Sequence, residues 1–293
     1  MIDFIRLTQG VSFKEAVAYL EGHAFSSREH QSSLPKTFHY SLTQVEDKSF
    51  KLARSYLKKV RCLSDETINF FGRQGVLAQA SWVTKGVVEP VLVFKSFDHR
   101  HHLQGGSLQG IHENPVHKRG RLKQIMKGSQ GHIGISVDIG KPQRLIFCES
   151  VIDLMSYYQV HERALSDVRL VSMEGLKQSV IVYQTLRLIA EEKGKPEFLD
   201  TLPTNRFLSA MCAVRDTTDY FKEHPALIAL AVDNDLAGQE FIQKLRDACL
   251  PVIEDLPDSI PGKPKVDWND WLVHPIVQLE PEHVSNQAYS LDL

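Results

Sequence analysis

Asp233 and Asp235 stand at the end of an unbroken apolar run of six residues, 227–232. A run of that length with no polar interruption suits a strand buried on both faces of a parallel sheet. Ligands of open α/β sheets bind outside the carboxyl ends of the strands, so two carboxylates stand where such a sheet does its chemistry. Two more acidic groups follow apolar runs in the same way. Residues 144–148 end at Glu149, and Asp153 lies four positions on, on the same face of a helix that starts at Ser150. Near the end of the chain, Lys265-Val-Asp-Trp-Asn-Asp-Trp-Leu272 carries Asp267 and Asp270, three apart. Crowded carboxylates repel one another, and a cation relieves that repulsion. Mg²⁺ prefers hard oxygen donors and keeps waters and substrate phosphates in its shell. A divalent-metal site is therefore one reading of these acids. The other is that Asp233 or Asp235 caps the next helix.

The elements needed to position them are visible in the pattern. From Arg144 the chain alternates: a strand at 168–171, a helix at 175–192 and a break at Lys193-Gly-Lys-Pro196. A helical insertion at 197–225 precedes the 227 strand; a helix at 239–248 and a short strand at 251–253 follow. Such alternation implies parallel strands joined by right-handed crossovers. Upstream, residues 51–76 read as a helical hairpin. Its first helix has an apolar face of Ala53, Tyr56, Leu57 and Val60; its second starts at Ser64, buries Ile68 and Phe71 and ends at Gly72 and Gly75. Residues 87–112 read as strands and turns. Residues 1–22 read as two short helical pieces with a capping box at Ser12 and Glu15. Residues 23–48 read as a linker, and a polar tail begins at about Glu280.

Composition narrows the class. The chain has 293 residues, 42% hydrophobic and 24% charged, with a formal net charge of −2. This is the make-up of an ordinary soluble globular protein with no global basic field. Binding to nucleic acid would need a local patch. Residues 117–127 offer one: Lys118, Arg119, Arg121, Lys123 and Lys127, with no acidic residue among them. Such a run either tracks phosphates or is a solvated face. The histidines at 99, 101, 102, 112 and 117 have no cysteine partners and no helical spacing, and read as a solvated turn. Cys62, Cys148, Cys212 and Cys249 form no Cys-x-x-Cys pair, which argues against a zinc knuckle. With no signal peptide and no apolar run of spanning length, a reducing cytoplasm is expected, with no membrane partner.

Taken together, Glu149-x-x-x-Asp153, Asp233-x-Asp235 with Ala237-Gly238, and Asp267 resemble the TOPRIM domain. Bacterial primases, type IA and II topoisomerases and some nucleases share that domain. Further stretches resemble primases. Asp3-Phe-Ile5 with Gly10-Val-Ser-Phe-Lys-Glu-Ala-Val17 is similar to the tail after the primase zinc module, whose ligands this sequence lacks. Ala53-x-x-Tyr56-Leu57, Leu63-Ser64-x-Glu66-Thr67-Ile68 and Phe71-Gly72 resemble the opening of the primase core, with Arg61-Cys62 where the family usually has Arg-Gly. Gly105-Gly106-Ser-Leu-Gln109 resembles a glycine-rich element in which Gln109 stands where relatives tend to have Arg. Lys123 followed by Gly128-Ser129 resembles the element before TOPRIM in plasmid-type relatives.

The resemblance implies an α/β fold: a TOPRIM-type parallel sheet flanked by helices, preceded by a smaller α+β primase-core-like subdomain. The expected divisions are 1–48 (helical segment and linker), 49–140 (subdomain with the basic stretch), 141–275 (TOPRIM) and 276–293 (tail). It implies Mg²⁺ or Mn²⁺ held by Asp233 and Asp235 with help from Asp267, no zinc, and Glu149 acting as acid/base or as a further ligand. Asp153 and Asp270 would be supporting acids. The implied activity is primase-like nucleotidyl transfer on single-stranded DNA with nucleotides, in replication or in transfer of a plasmid or mobile element. A replicative helicase or a separate zinc-module protein would be its partner. The alternatives are a TOPRIM nuclease, or a single-stranded nucleic-acid-binding protein without turnover. A topoisomerase is disfavoured, since no Tyr-bearing cleavage domain is apparent.

Overall fold

The computed structural model describes residues 6, 10–12, 15, 38–84, 86–248 and 250–274. The expected capping box is present: the Ser12 backbone N–H donates to Glu15 Oε2 (2.8 Å) and the Glu15 N–H to Ser12 Oγ (3.4 Å). The rest of the expected helical pieces before residue 23, linker residues 23–37, Cys249 and the tail beyond 274 lie outside the described residues.

Two helices open the described fold. In α1 (Lys51–Lys59) Ala53, Tyr56 and Leu57 face inward. Val60, expected on that face, lies past the helix end and is exposed. In α2 (Asp65–Arg73) the Ser64 side chain accepts from the Thr67 N–H, and Asp65 and Glu66 place negative charge on the first turn. An antiparallel sheet follows in the order β1 (Leu77–Thr84), β2 (Val87–Phe97), β3 (Leu103–Gly110), β4 (Lys123–Ile125). The sequence reading missed β1, whose end alternates half-buried and exposed positions.

Residues 38–48 are not a linker. Phe38 and Leu42 are buried against this sheet, and the Asp47 N–H donates to the Gln79 carbonyl (2.8 Å). The His39 and Ser41 between these apolar residues masked their role. The histidine turn is corrected in part: His101, His102 and His112 are exposed as expected, but the other two histidines are not. The His99 side chain is buried, with Nε2 3.3 Å from Asp200, and His117 Nε2 lies 2.7 Å from Glu89.

The second sheet runs in the order β5 (Ile135–Ile139), β7 (Val168–Ser172), β6 (Arg144–Cys148), β8 (Ile228–Ala231), β9 (Val252–Glu254). Strands β6 to β9 are mutually parallel, and β5 is an antiparallel edge. Because β5 belongs here, this unit starts before residue 141, where the sequence had placed the boundary. Every residue of β7 and β8 is buried, as expected for strands covered on both faces. The charged exception, Arg169, is paired: Nε donates to Asp138 Oδ1 (2.7 Å) and Nη2 to Glu191 Oε2 (2.9 Å). A buried guanidinium without such partners would be strongly destabilising.

One face of this sheet carries α4 (Gln178–Glu192), the insertion helices α5 (Phe198–Thr201), α6 (Phe207–Thr217) and α7 (Tyr220–Glu223), and α8 (Leu236–Asp247). The other carries α3 (Val151–His161) and α9 (Trp268–Val273) together with the N-terminal helical hairpin. The structure is thus a mixed α/β fold with two sheets and flanking helices. Among the described residues no helix is long and apolar enough to cross a membrane.

Candidate functional site

Parallel pairing sets the site. Cys148 of β6 lies opposite Ala231 of β8, so Glu149 and Asp233 leave the sheet at the same end. Asn234 and Val266 form an isolated bridge, with the Asn234 N–H donating to the Val266 carbonyl (2.8 Å). That bridge lays residues 265–267 against the loop holding Asp233 and Asp235. An extended chain sends alternate side chains the same way, so Lys265 and Asp267 share a side. Gly238 allows the close approach of α8, because a Cβ there would stand 2.2 Å from the Asp233 carbonyl oxygen.

The aspartates divide between cap and site. Asp235 Oδ1 accepts the Gly238 N–H (2.8 Å), a helix cap, and this starts α8 at Leu236 rather than at residue 239. Its other oxygen lies 2.9 Å from Lys265 Nζ. Asp267 caps α9: its Oδ1 accepts the Asp270 N–H (2.6 Å) and Asp270 reaches back, a reciprocal box. Asp270 also pairs with Lys263 (2.5 Å). Asp233 is only 5% exposed. It is not the cap of α8; its Oδ2 meets Lys265 Nζ at 2.5 Å, and no donor among the described residues reaches its buried Oδ1.

These groups perturb one another. Burial, then the Asp233 charge, pushes Glu149 up to about 7, with Lys265 opposing, and the Glu149 carboxyl lies within hydrogen-bond reach of Asp233. Burial, then Asp267 and Asp233, pushes Asp153 up to about 8. Its Oδ2 accepts from Ser150 Oγ (2.5 Å). Burial also raises Asp267. For Asp235 burial acts upward, but the Lys265 ammonium and the Gly238 N–H outweigh it and hold the carboxyl below its ordinary range. For Lys265, burial is outweighed by its bonds to Asp233 and Asp235, so it stays charged.

Glu149, Asp153, Asp233, Asp235 and Asp267 thus form one electrostatic cluster. Among the described residues no three His, Cys, Asp or Glu groups converge tightly enough to hold a metal ion as they stand. The positive charge beside Asp233, Asp235 and Glu149 is the Lys265 ammonium. The donor set, all carboxylate oxygen, suits Mg²⁺ or Mn²⁺, and the buried Asp233 Oδ1 is a donor atom without another use among the described residues.

The basic stretch separates into two kinds of residue. Lys118, Arg119, Lys123 and Lys127 are exposed. Arg121 turns inward: it donates to the Ile111 carbonyl, and its guanidinium lies 5.1 Å from the centre of the Tyr56 ring. Arg61 lies 5.5 Å from the same ring centre, and Nε of Arg61 donates to the Tyr56 hydroxyl (2.8 Å). Gln109, buried, donates to that hydroxyl as well (2.6 Å).

Several residues of this region escaped the sequence reading. Lys265 carried a signal, its alternation with Asp267. Asn269 bonds Arg61 and Ser156 and fixes α9. Glu174 follows β7 in the left-handed region (φ 53°), and the next N–H, of Gly175, donates to the Glu149 carbonyl (2.9 Å).

No protein-family model matches the chain. It is 29% identical over 235 residues to an uncharacterized Bacillus anthracis protein, pXO2-78, a match that covers 78% of this chain and 58% of that protein. The chain therefore spans less than two thirds of that relative's length. Among solved structures it is similar to the primase fragment of the bacteriophage T7 primase-helicase protein, with a TM-score of 0.42, 12% identity, and 88% of this chain and 81% of that one covered. It is also similar to the DnaG primase catalytic domain bound to single-stranded DNA (TM-score 0.41, 15% identity, 80% and 71% covered). A third likeness is to the Aquifex aeolicus primase comprising zinc-binding and RNA polymerase domains (TM-score 0.37, 12% identity, 92% and 66% covered). Likenesses of this size assign no activity, and what the site does has to be read from its own residues.

Proposed function

We propose that this protein carries out Mg²⁺- or Mn²⁺-dependent nucleotidyl transfer of the primase kind, on single-stranded DNA with nucleotides as substrates. The observation that carries the reading is Asp233. It is a buried carboxylate at the carboxyl end of a parallel strand, with one oxygen lacking a donor among the described residues, the other on an ammonium, and Glu149 alongside. A buried carboxylate with one oxygen lacking a donor is costly, and a bound cation would offset that cost. The match of these acids to the TOPRIM pattern supports the same reading.

In this proposal Asp233 and Asp235 hold the metal, with Asp267 adding charge from the start of α9. The bound ion supplies neutralisation of the phosphate charge and orientation of the attacking oxygen. Glu149, alongside Asp233, is placed to take the proton from that oxygen. Asp153, pushed up to about 8, is largely neutral at pH 7 and braces the Glu149 turn through Ser150 without adding another charge. Lys118, Arg119, Lys123 and Lys127 would track template phosphates. A replicative helicase or a separate zinc-module protein is the proposed macromolecular partner.

The deciding experiment incubates the protein with single-stranded DNA, labelled nucleotides and Mg²⁺ or Mn²⁺, followed by a sequencing gel. New short products are expected. A shortened template would instead show the same acids activating water, as in a nuclease. An unchanged template with no products would leave a binding role.

A further inference from the structure

Among the described residues, Lys265 is the cation that touches both aspartates of the proposed metal pair. Its Nζ lies 2.5 Å from Asp233 Oδ2 and 2.9 Å from Asp235 Oδ2. A divalent ion bound to those two oxygens at about 2.1 Å would put its charge against the ammonium, so the two cannot share the place. The lysine is able to leave. Its side chain is 51% exposed, whereas Asp233 is buried and Asp235 is fixed by its cap. Its backbone need not move, because the neighbouring Val266 is paired with Asn234.

We propose that Lys265 is a displaceable counter-cation. It neutralises Asp233 and Asp235 while no divalent ion is bound, and by competing for their oxygens it sets the metal concentration at which the site loads. This rests on the metal reading above. Competition is reciprocal: whatever the lysine takes from metal affinity, the metal takes from the lysine's hold on the aspartates. The two ion pairs differ in depth, one reaching a buried carboxylate, and together they are expected to weaken metal binding about tenfold.

The test uses the full chain stripped with chelator and titrated with Mn²⁺ at low ionic strength, free ion being read by electron paramagnetic resonance. Lys265→Met removes the charge and keeps most of the stem; Lys265→Arg keeps the charge. The Met variant is expected to bind Mn²⁺ about tenfold more tightly than the wild type, and the Arg variant close to the wild type. A second measurement uses the wild type alone: amine-labelling of Lys265, read by mass spectrometry, is expected to rise when Mn²⁺ is added. Equal or weaker Mn²⁺ binding by the Met variant overturns the proposal, as does labelling that Mn²⁺ leaves unchanged while it binds. If none of the three proteins binds Mn²⁺, the metal reading falls and the proposal with it. If all bind alike, only the proposal falls.

Discussion

Arg61 and Asn269, 208 residues apart in the chain, hold each other from both sides. Arg61 Nη1 donates to Asn269 Oδ1 at 3.2 Å, and Asn269 Nδ2 returns a bond to the Arg61 carbonyl at 2.9 Å. Asn269 lies in the first turn of α9, two residues beyond Asp267. The N-terminal hairpin thereby fixes the helix that carries one of the site's acids.

Asn269→Ala is expected to lower stability by about 1–3 kcal/mol, because it removes the bonds from a buried amide to the Arg61 carbonyl and Ser156 Oγ. Chemical denaturation of the metal-free protein measures this. A loss within a few tenths of a kcal/mol would show that water replaces the amide at no cost.

Asp233→Asn and Asp235→Ala are expected to act differently. Asp233 is not the cap of α8, so Asn there relieves repulsion with Glu149 but gives up the Lys265 ion pair, and the metal-free melting temperature should stay close to the wild type's. Asp235→Ala removes a cap and should cost about 1 kcal/mol. Both should lose most of the stabilisation that Mg²⁺ gives the wild type by binding the folded state. Thermal melts with and without Mg²⁺ decide, and an Asp233→Asn protein that gains as much from Mg²⁺ as the wild type would remove Asp233 from the site.

Stability should fall as pH rises above about 6.5; below that the buried His132 and His161, both lowered by desolvation, act with the opposite sign. The folded protein holds Asp153 protonated up to about 8, while the unfolded chain releases that proton near the ordinary value of 3.8. Between those values the folded state binds more protons, so its advantage is complete at the acid end and is lost on the way up. Glu149 adds the same sign from 4.5 to about 7. Asp153→Asn should flatten the profile and raise the melting temperature near pH 8 by roughly 3–6 °C. Melts of both proteins across that range, in chelator, test it; parallel profiles would refute the assignment.

The basic stretch should divide on mutation. Replacing Lys118, Arg119, Lys123 and Lys127 with Ala should weaken single-stranded DNA binding and reduce the slope of log affinity against log salt by roughly 0.7 for each phosphate no longer neutralised. Arg121→Ala should instead reduce stability, since its guanidinium packs on Tyr56 and bonds the Ile111 carbonyl. Salt-dependent fluorescence anisotropy reads the slopes. An unchanged slope in the four-residue variant would mark those residues as a solvated face.

The acids were legible because each ends an apolar strand, and strand ends are where a parallel sheet can expose charge. Their partner was not. Lys265 lies in an irregular stretch with a single bridge at Val266, and only the folded loop brings it to Asp233. The extent of the second sheet was misjudged because β5 enters from the opposite direction, and the pairing of its Asp138 with the buried Arg169 is formed only in the fold. Residues 38–48 and His99 were misread for one reason: short polar stretches take their burial from what they dock on, which no local pattern records.

The core below the site has a consequence for how the chain is made. Leu57, Phe71 and Phe94 from the first part of the fold share one cluster with Ile146, Leu170 and Trp268. Synthesis proceeds from the N-terminus, so the hairpin at 51–73 emerges from the ribosome well before the residues between 146 and 170 that share its cluster, and its apolar face waits for them. Pairings this distant in sequence close late, and apolar surface exposed in the interval invites association. A nascent chain arrested before α3 would therefore display to chaperones the Phe71 face, which Tyr158 of α3 covers edge-on in the folded protein.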